Sequence, residues 1–136
     1  MNGPPDKAKL TRQWIEKAEH DLRNAEHTLT LENDCPFDTA CFHAQQCAEK
    51  YLKALLVFHE VDFPKTHDLI LLENLAMAFS PGLKGIQLHV LNRYSMEARY
   101  PGDWEPITRA EAEKAIVIAK KVRDAARSVL PGNVIT

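Results

Sequence analysis

The sequence lacks an excess of charge of either sign: 17 Lys and Arg stand against 19 Asp and Glu in 136 residues, a formal net charge of −2. That balance excludes a global positive field able to hold nucleic acid or an anionic membrane, so phosphate recognition has to be built locally. Cysteine is scarce and odd in number. Cys35, Cys41 and Cys47 cannot all pair, which argues against a secreted disulfide scaffold. Cys41 and Cys47 lie about 120° apart around a helix and have no CxxC or nearby His pair to complete a metal site, so both read as buried thiols. No segment approaches the roughly 20 uninterrupted apolar residues that a membrane span requires. Met1 to Leu10 is polar and Pro-rich rather than a signal peptide, and a cytoplasmic protein with no membrane partner is expected. GxSxG, HExxH, GxxxxGK[ST] and GxGxxG are all missing, which weakens an enzymatic reading and leaves no cofactor or metal to expect.

What is present is helical. A composition of 45% hydrophobic and 26% charged residues is that of a globular chain, and the length suits one domain over 1–136. Trp14, Ala18, Leu22, Ala25 and Leu29 recur at three- and four-residue steps and predict a first helix from Thr11 to about Leu31, after a flexible segment 1–10. Asn33, Asp34 and Pro36 supply a turn. Phe37, Cys41, Ala44, Ala48, Tyr51, Leu55 and Phe58 then share one arc of a second helix over Pro36 to His59, apolar enough to be central in a bundle. Its remaining face carries His43, Gln46, Lys50 and Lys53.

Thr66 reads as the N-cap of a third helix over 68–79, with Asp68 in its first turn. Leu83, Ile86, Val90 and Tyr94 predict a fourth over 83–98, and the proline-containing segment 100–106 a loop. Thr108 and Glu111 have capping-box spacing ahead of a fifth stripe of mostly small residues, which Pro131 and Gly132 end before a tail at 131–136. No period-two run suggests a strand. The fold expected is an all-α up-and-down bundle of four to five helices.

Three polar clusters can carry chemistry: His43, Gln46 and Lys50; the segment Pro64 to Leu69 with Lys65 and His67; and Glu97 to Pro101, with Arg93 one turn before. Taken singly they are ordinary: Lys50 and Lys53 are a solvated face, and Glu97 is a helical partner for Arg93. Brought together at one end of the bundle, Lys50, Lys65, His67, Arg93 and Arg99 can neutralise an anion. Tyr94, Tyr100 and Trp104 offer rings for a base, or equally cover a core edge.

FHAQQCAEKYLKALL (Phe42 to Leu56), PKTHDL (Pro64 to Leu69) and MEARYP (Met96 to Pro101), together with AEHDL (Ala18 to Leu22), resemble the HEPN family across almost the whole chain. The resemblance implies a four- or five-helix bundle, related to the substrate-side domain of kanamycin nucleotidyltransferase-like enzymes and commonly dimeric. Some members are ribonucleases, often toxins, with catalysis attributed to an Arg followed by His after four to six residues. Here Arg23 and His27 enclose three residues, Arg12 and His20 enclose seven, and no histidine follows Arg93 or Arg99. The closer resemblance is to small chains that accompany a separately encoded minimal nucleotidyltransferase in toxin–antitoxin-like pairs. It implies a non-catalytic, homodimeric subunit that binds a nucleotide or another phosphorylated ligand.

The ligand set expected is His43, Gln46, Lys50, Lys65, His67, Glu97, Arg99 and Tyr100, with no catalytic residue and no metal ligand. Lys50, Lys65 and Arg99 would meet phosphate, His43 and His67 donate hydrogen bonds, and Glu97 orient a base. The alternatives are a ribonuclease acting on RNA through His43, His67 and Arg99, or a dimeric scaffold without a ligand.

Overall fold

A computed structural model describes residues 6–95 and 106–135. Its helices are α1 (Lys7–Thr28), α2 (Phe37–Phe58), α3 (Leu69–Ala76), α4 (Leu88–Asn92), α5 (Arg109–Val129) and α6 (Gly132–Ile135), with a single 3-10 turn at Pro81–Leu83 between α3 and α4. No strand occurs among the described residues, and the chain is the all-α bundle that the apolar periodicity implies. No described helix is long and apolar enough to cross a membrane.

α2 is the centre, because it packs against α1, α5, α3 and α4. Thirteen of its 22 residues are buried, more than one amphipathic stripe supplies, and they include Gln45, Glu49 and Lys53 alongside Tyr51, Leu52, Leu55 and Leu56. α1 runs antiparallel to α2: Lys7 lies 3.7 Å from Glu60, Lys53 lies 5.6 Å from the Trp14 ring, and the Cys35 thiol reaches the Thr28 carbonyl at 3.2 Å. α5 runs parallel to α2, with Arg109 over Phe37 at one end and Arg127 near the Tyr51 hydroxyl at the other. Ala112, Ala115, Ala119 and Ala126 turn inward on α5 and are fully buried, so its small residues bring α5 close to α2 within one chain.

The ends of the helices follow local chemistry. The Thr108 hydroxyl accepts from the Glu111 N–H, and the Glu111 carboxylate accepts from the Thr108 N–H, the reciprocal box read from the sequence. α2 ends with Glu60 at φ 57, which lets the Val61 N–H reach the Leu56 carbonyl at 2.9 Å and the Glu60 N–H reach that of Val57 at 3.1 Å.

Four boundaries differ from the sequence reading. α1 starts at Lys7, inside the segment expected to be flexible, because the Asp6 carboxylate accepts from the Ala8 N–H at 2.9 Å. α3 is capped by Asp68, not Thr66, whose hydroxyl instead accepts from the Asp68 N–H at 3.0 Å. The fourth helix is short, since Gly85 takes φ +88 and turns the chain; Leu83 and Leu91 are nevertheless both buried, on two separate turns. The segment read as a C-terminal tail holds α6, which buries Val134.

Asp68 ties α3 to α4. Its carboxylate accepts from the Asn92 amide at 3.0 Å and caps Ile70, while the Asn92 side-chain oxygen accepts from the Leu69 N–H at 2.8 Å. These donors, Asn92 first, hold its carboxyl below the usual 3.8. The folded state therefore prefers the ionised form, and the stability Asp68 contributes is complete above pH 3.8 and lost as pH falls through its lower folded value. Asp68→Ala is expected to cost about 1 kcal/mol at neutral pH, as for loss of an N-cap. In urea denaturation the difference from wild type should shrink below pH 3.8.

Candidate ligand site

Two carboxylates inside the helix packing organise the polar side chains of α2. Asp21 projects from α1 between α1 and α2 with its side chain only 10% exposed. One of its oxygens lies 2.8 Å from His43 Nδ1, and the other accepts from Lys50 Nζ at 2.5 Å. His43 and Lys50 sit two turns apart on one face of α2, so a single carboxylate clasps both. Glu49 is the second, at 3% exposure. It accepts from Lys53 Nζ at 3.0 Å and from the Gln45 amide at 3.1 Å, and lies 2.8 Å from His67 Nδ1. Gln45 also donates to the His67 carbonyl, and Gln46 donates to the Gln45 side-chain oxygen at 2.7 Å. The segment before α3 is thereby pinned to α2 by a chain of polar contacts.

The expected ligand residues thus come together in part. His43, Gln46 and Lys50 lie along one edge of α2, half-buried, and the Glu49 network brings His67 to the same helix. Lys65 is exposed beside that junction. Glu97, Arg99 and Tyr100 lie outside the described residues, as do Trp104 and the expected loop up to residue 105. Arg93, read as a partner for Glu97, has Glu111 at 3.8 Å.

Lys53 departs from its reading as a solvated residue. It is 7% exposed, paired with Glu49 and flanked by the Trp14 and Phe63 rings at 5.6 and 5.8 Å, which shield its charge from water. Lys50 likewise is no free surface charge, since Asp21 holds it.

The sequence reading passed over Asp21, Gln45 and Glu49. The signal was positional: Asp21 follows Trp14 by seven residues and Ala18 by three, on the apolar stripe of α1, and Glu49 precedes the buried Leu52 by three. A carboxylate on a buried stripe needs partners, and cations on the facing helix are the natural ones. Across the α1–α2 packing, the buried Tyr51 hydroxyl donates to Glu19 and receives a 3.4 Å contact from Arg127. Burial first, then the bond to Glu19, pushes the Tyr51 phenol up, so it remains a neutral donor. Burial, reinforced by Glu19 and Asp21, likewise raises the Cys47 thiol and keeps it protonated.

Removing one partner of a buried network strands the others. Glu49→Ala should destabilise the protein by about 3–5 kcal/mol in urea denaturation, because Lys53 and Gln45 lose their acceptor inside the packing. Lys65→Ala, at an exposed position, should stay within about 0.5 kcal/mol of wild type.

Comparison with curated proteins finds no match. Among solved structures the fold is similar to the crystal structure of TT1696 from Thermus thermophilus, with 30% sequence identity and a TM-score of 0.68 over 88% of this chain and 98% of that one. The HEPN domain matches residues 11–129, from the first turns of α1 to the end of α5. With the bundle and its central α2 in place, the domain match over 11–129 carries one conclusion: the chain belongs to the HEPN family.

Proposed function

We propose that the chain is a non-catalytic HEPN subunit that binds a nucleotide or another phosphorylated ligand and pairs with a separately encoded minimal nucleotidyltransferase, which performs the transfer chemistry. The observation that carries this reading is the Asp21 clasp. Asp21 meets one nitrogen of His43 and the ammonium group of Lys50, and so fixes both side chains before any ligand arrives. The remaining Lys50 protons have no other partner among the described residues and stay available at the edge of α2. Donors held in advance lose little conformational freedom on binding, which favours recognition of an anionic oxygen. Gln46 between His43 and Lys50 adds an amide, and Lys65, two residues before His67, adds an exposed charge. Arg99, Glu97 and Tyr100, outside the described residues, are the remaining members of the proposed set.

The subunit works in this reading as a homodimer beside its enzyme partner. Val117, at 50% exposure on the outer face of α5, and Ile70 and Leu71 on α3 are apolar side chains left for association. Sedimentation equilibrium should report twice the chain mass.

Calorimetric titration of ATP tests the ligand. Wild type should bind, and Lys65→Ala and Lys50→Ala should each weaken binding by about 1–3 kcal/mol, as for loss of a charged hydrogen bond. Lys50→Ala also removes a partner of Asp21, so its titration belongs at a temperature where circular dichroism shows it folded. Metal-independent RNA cleavage abolished by His67→Ala would overturn the binding-subunit reading in favour of a ribonuclease. Indifference to nucleotides and RNA alike would leave a scaffold.

A further inference from the structure

α1 has two polar flanks. Asp21 points to one, and Glu19, two residues earlier and about 200° away around the helix, points to the other. On that second flank α1 and α5 both pack on α2 but hardly touch each other. The gap is a cleft of about 380 Å³, near the lower end of the roughly 300–1,000 Å³ typical of small-molecule sites.

The cleft is rich in uncommitted donors. Arg23 and His27 stand one turn apart on the same face of α1, and Arg123 faces them from α5. Among the described residues neither the Arg23 guanidinium nor the His27 ring has a hydrogen-bond or ion-pair partner. Arg123 uses only Nε, toward the neighbouring Asp124 at 3.3 Å, and its side chain is 29% exposed. The two carboxylates of the cleft are already engaged on one side: Glu19 accepts from the buried Tyr51 hydroxyl, and Glu26 pairs with Lys120 at 3.0 Å. Each keeps a second oxygen. Thr30 adds a hydroxyl at the rim. The described lining contains no Phe, Tyr or Trp, and His27 is its one aromatic ring.

We propose that this α1–α5 cleft is a sugar-phosphate site, separate from the His43 and Lys50 edge and independent of the function proposed for it. Arg23, His27 and Arg123 hold the phosphoryl oxygens, for which planar guanidinium groups provide paired donors. Glu19 and Glu26 accept hydrogen bonds from the sugar hydroxyls. Glu19 is held in place from beneath by Tyr51, whose hydroxyl Arg127 in turn approaches at 3.4 Å.

Calorimetric titration of the full chain with ribose 5-phosphate, ribose and inorganic phosphate tests the assignment. Ribose 5-phosphate should bind more tightly than ribose or inorganic phosphate. Arg23→Ala and Arg123→Gln should each weaken ribose 5-phosphate about tenfold or more, the loss expected of a charged hydrogen bond. Arg23 is exposed, so its variant should melt like wild type and keep the test clean. Lys50→Ala, on the opposite flank, shows whether the phosphate sits at the Asp21 clasp instead. Absence of ribose 5-phosphate binding by wild type, or undiminished binding by both arginine variants, would overturn the proposal. Loss of ribose 5-phosphate binding in Lys50→Ala with Arg23→Ala unaffected would overturn it too, and would place the phosphate at the Asp21 clasp.

Discussion

A carboxylate set into helix packing cannot stay ionised without partners, and the bundle is arranged around two such groups. Asp21 is met from α2 by His43 and Lys50, and Glu49 is met by Lys53, Gln45 and His67. The cost of desolvating each carboxylate is offset only while those partners hold their positions. The register of α1 on α2 is therefore constrained by more than apolar fit, since a slide of one turn would part Asp21 from both partners. The segment before α3 is fixed in the same way, because Glu49 and Gln45 reach His67 from the centre of α2.

This constraint shapes what the surface can offer. The histidine and lysine nearest the α1–α2 edge are oriented by a carboxylate rather than free, which suits recognition of a specific anion more than loose electrostatic attraction. The balanced net charge of the chain agrees with local recognition of that kind. On the other flank of α1, Glu19 and Tyr51 repeat the theme with a phenol in place of cations. There the arginines of α1 and α5 are left with unused donors. One helix pair thus presents two chemically distinct polar edges, and the HEPN bundle supplies the rigid frame for both.

The bundle was legible in the sequence because apolar spacing is a local signal. Tyr51, Leu52 and Leu55 announce a central helix, and Thr108 with Glu111 announces the start of α5 within four residues. Ends that depend on competition between neighbouring caps were harder: Thr66 and Asp68 are both good N-caps, and the Asn92 amide, 24 residues away, favours Asp68. The short α4 shows another limit, since Leu83, Ile86, Val90 and Tyr94 satisfy helical spacing while Gly85 breaks the helix between the first two. His43, Lys50 and His67 were readable as candidates by residue type. Their partners were not, because Asp21 meets Lys50 across 29 residues and His67 meets Glu49 across 18, pairings that only the tertiary packing creates.

A double-mutant cycle on Asp21 and Lys50, read as unfolding free energy in urea, tests the central claim most directly. Asp21→Asn, Lys50→Met and the combined variant isolate the interaction from the burial of each side chain. If Asp21 depends on Lys50 within the α1–α2 packing, the cycle will show a coupling of about 1–3 kcal/mol, and the double variant will be far less destabilised than the sum of the two single changes. Additivity within about 0.5 kcal/mol would show that the pair is a solvated contact and that the register of α1 on α2 is set by apolar packing alone.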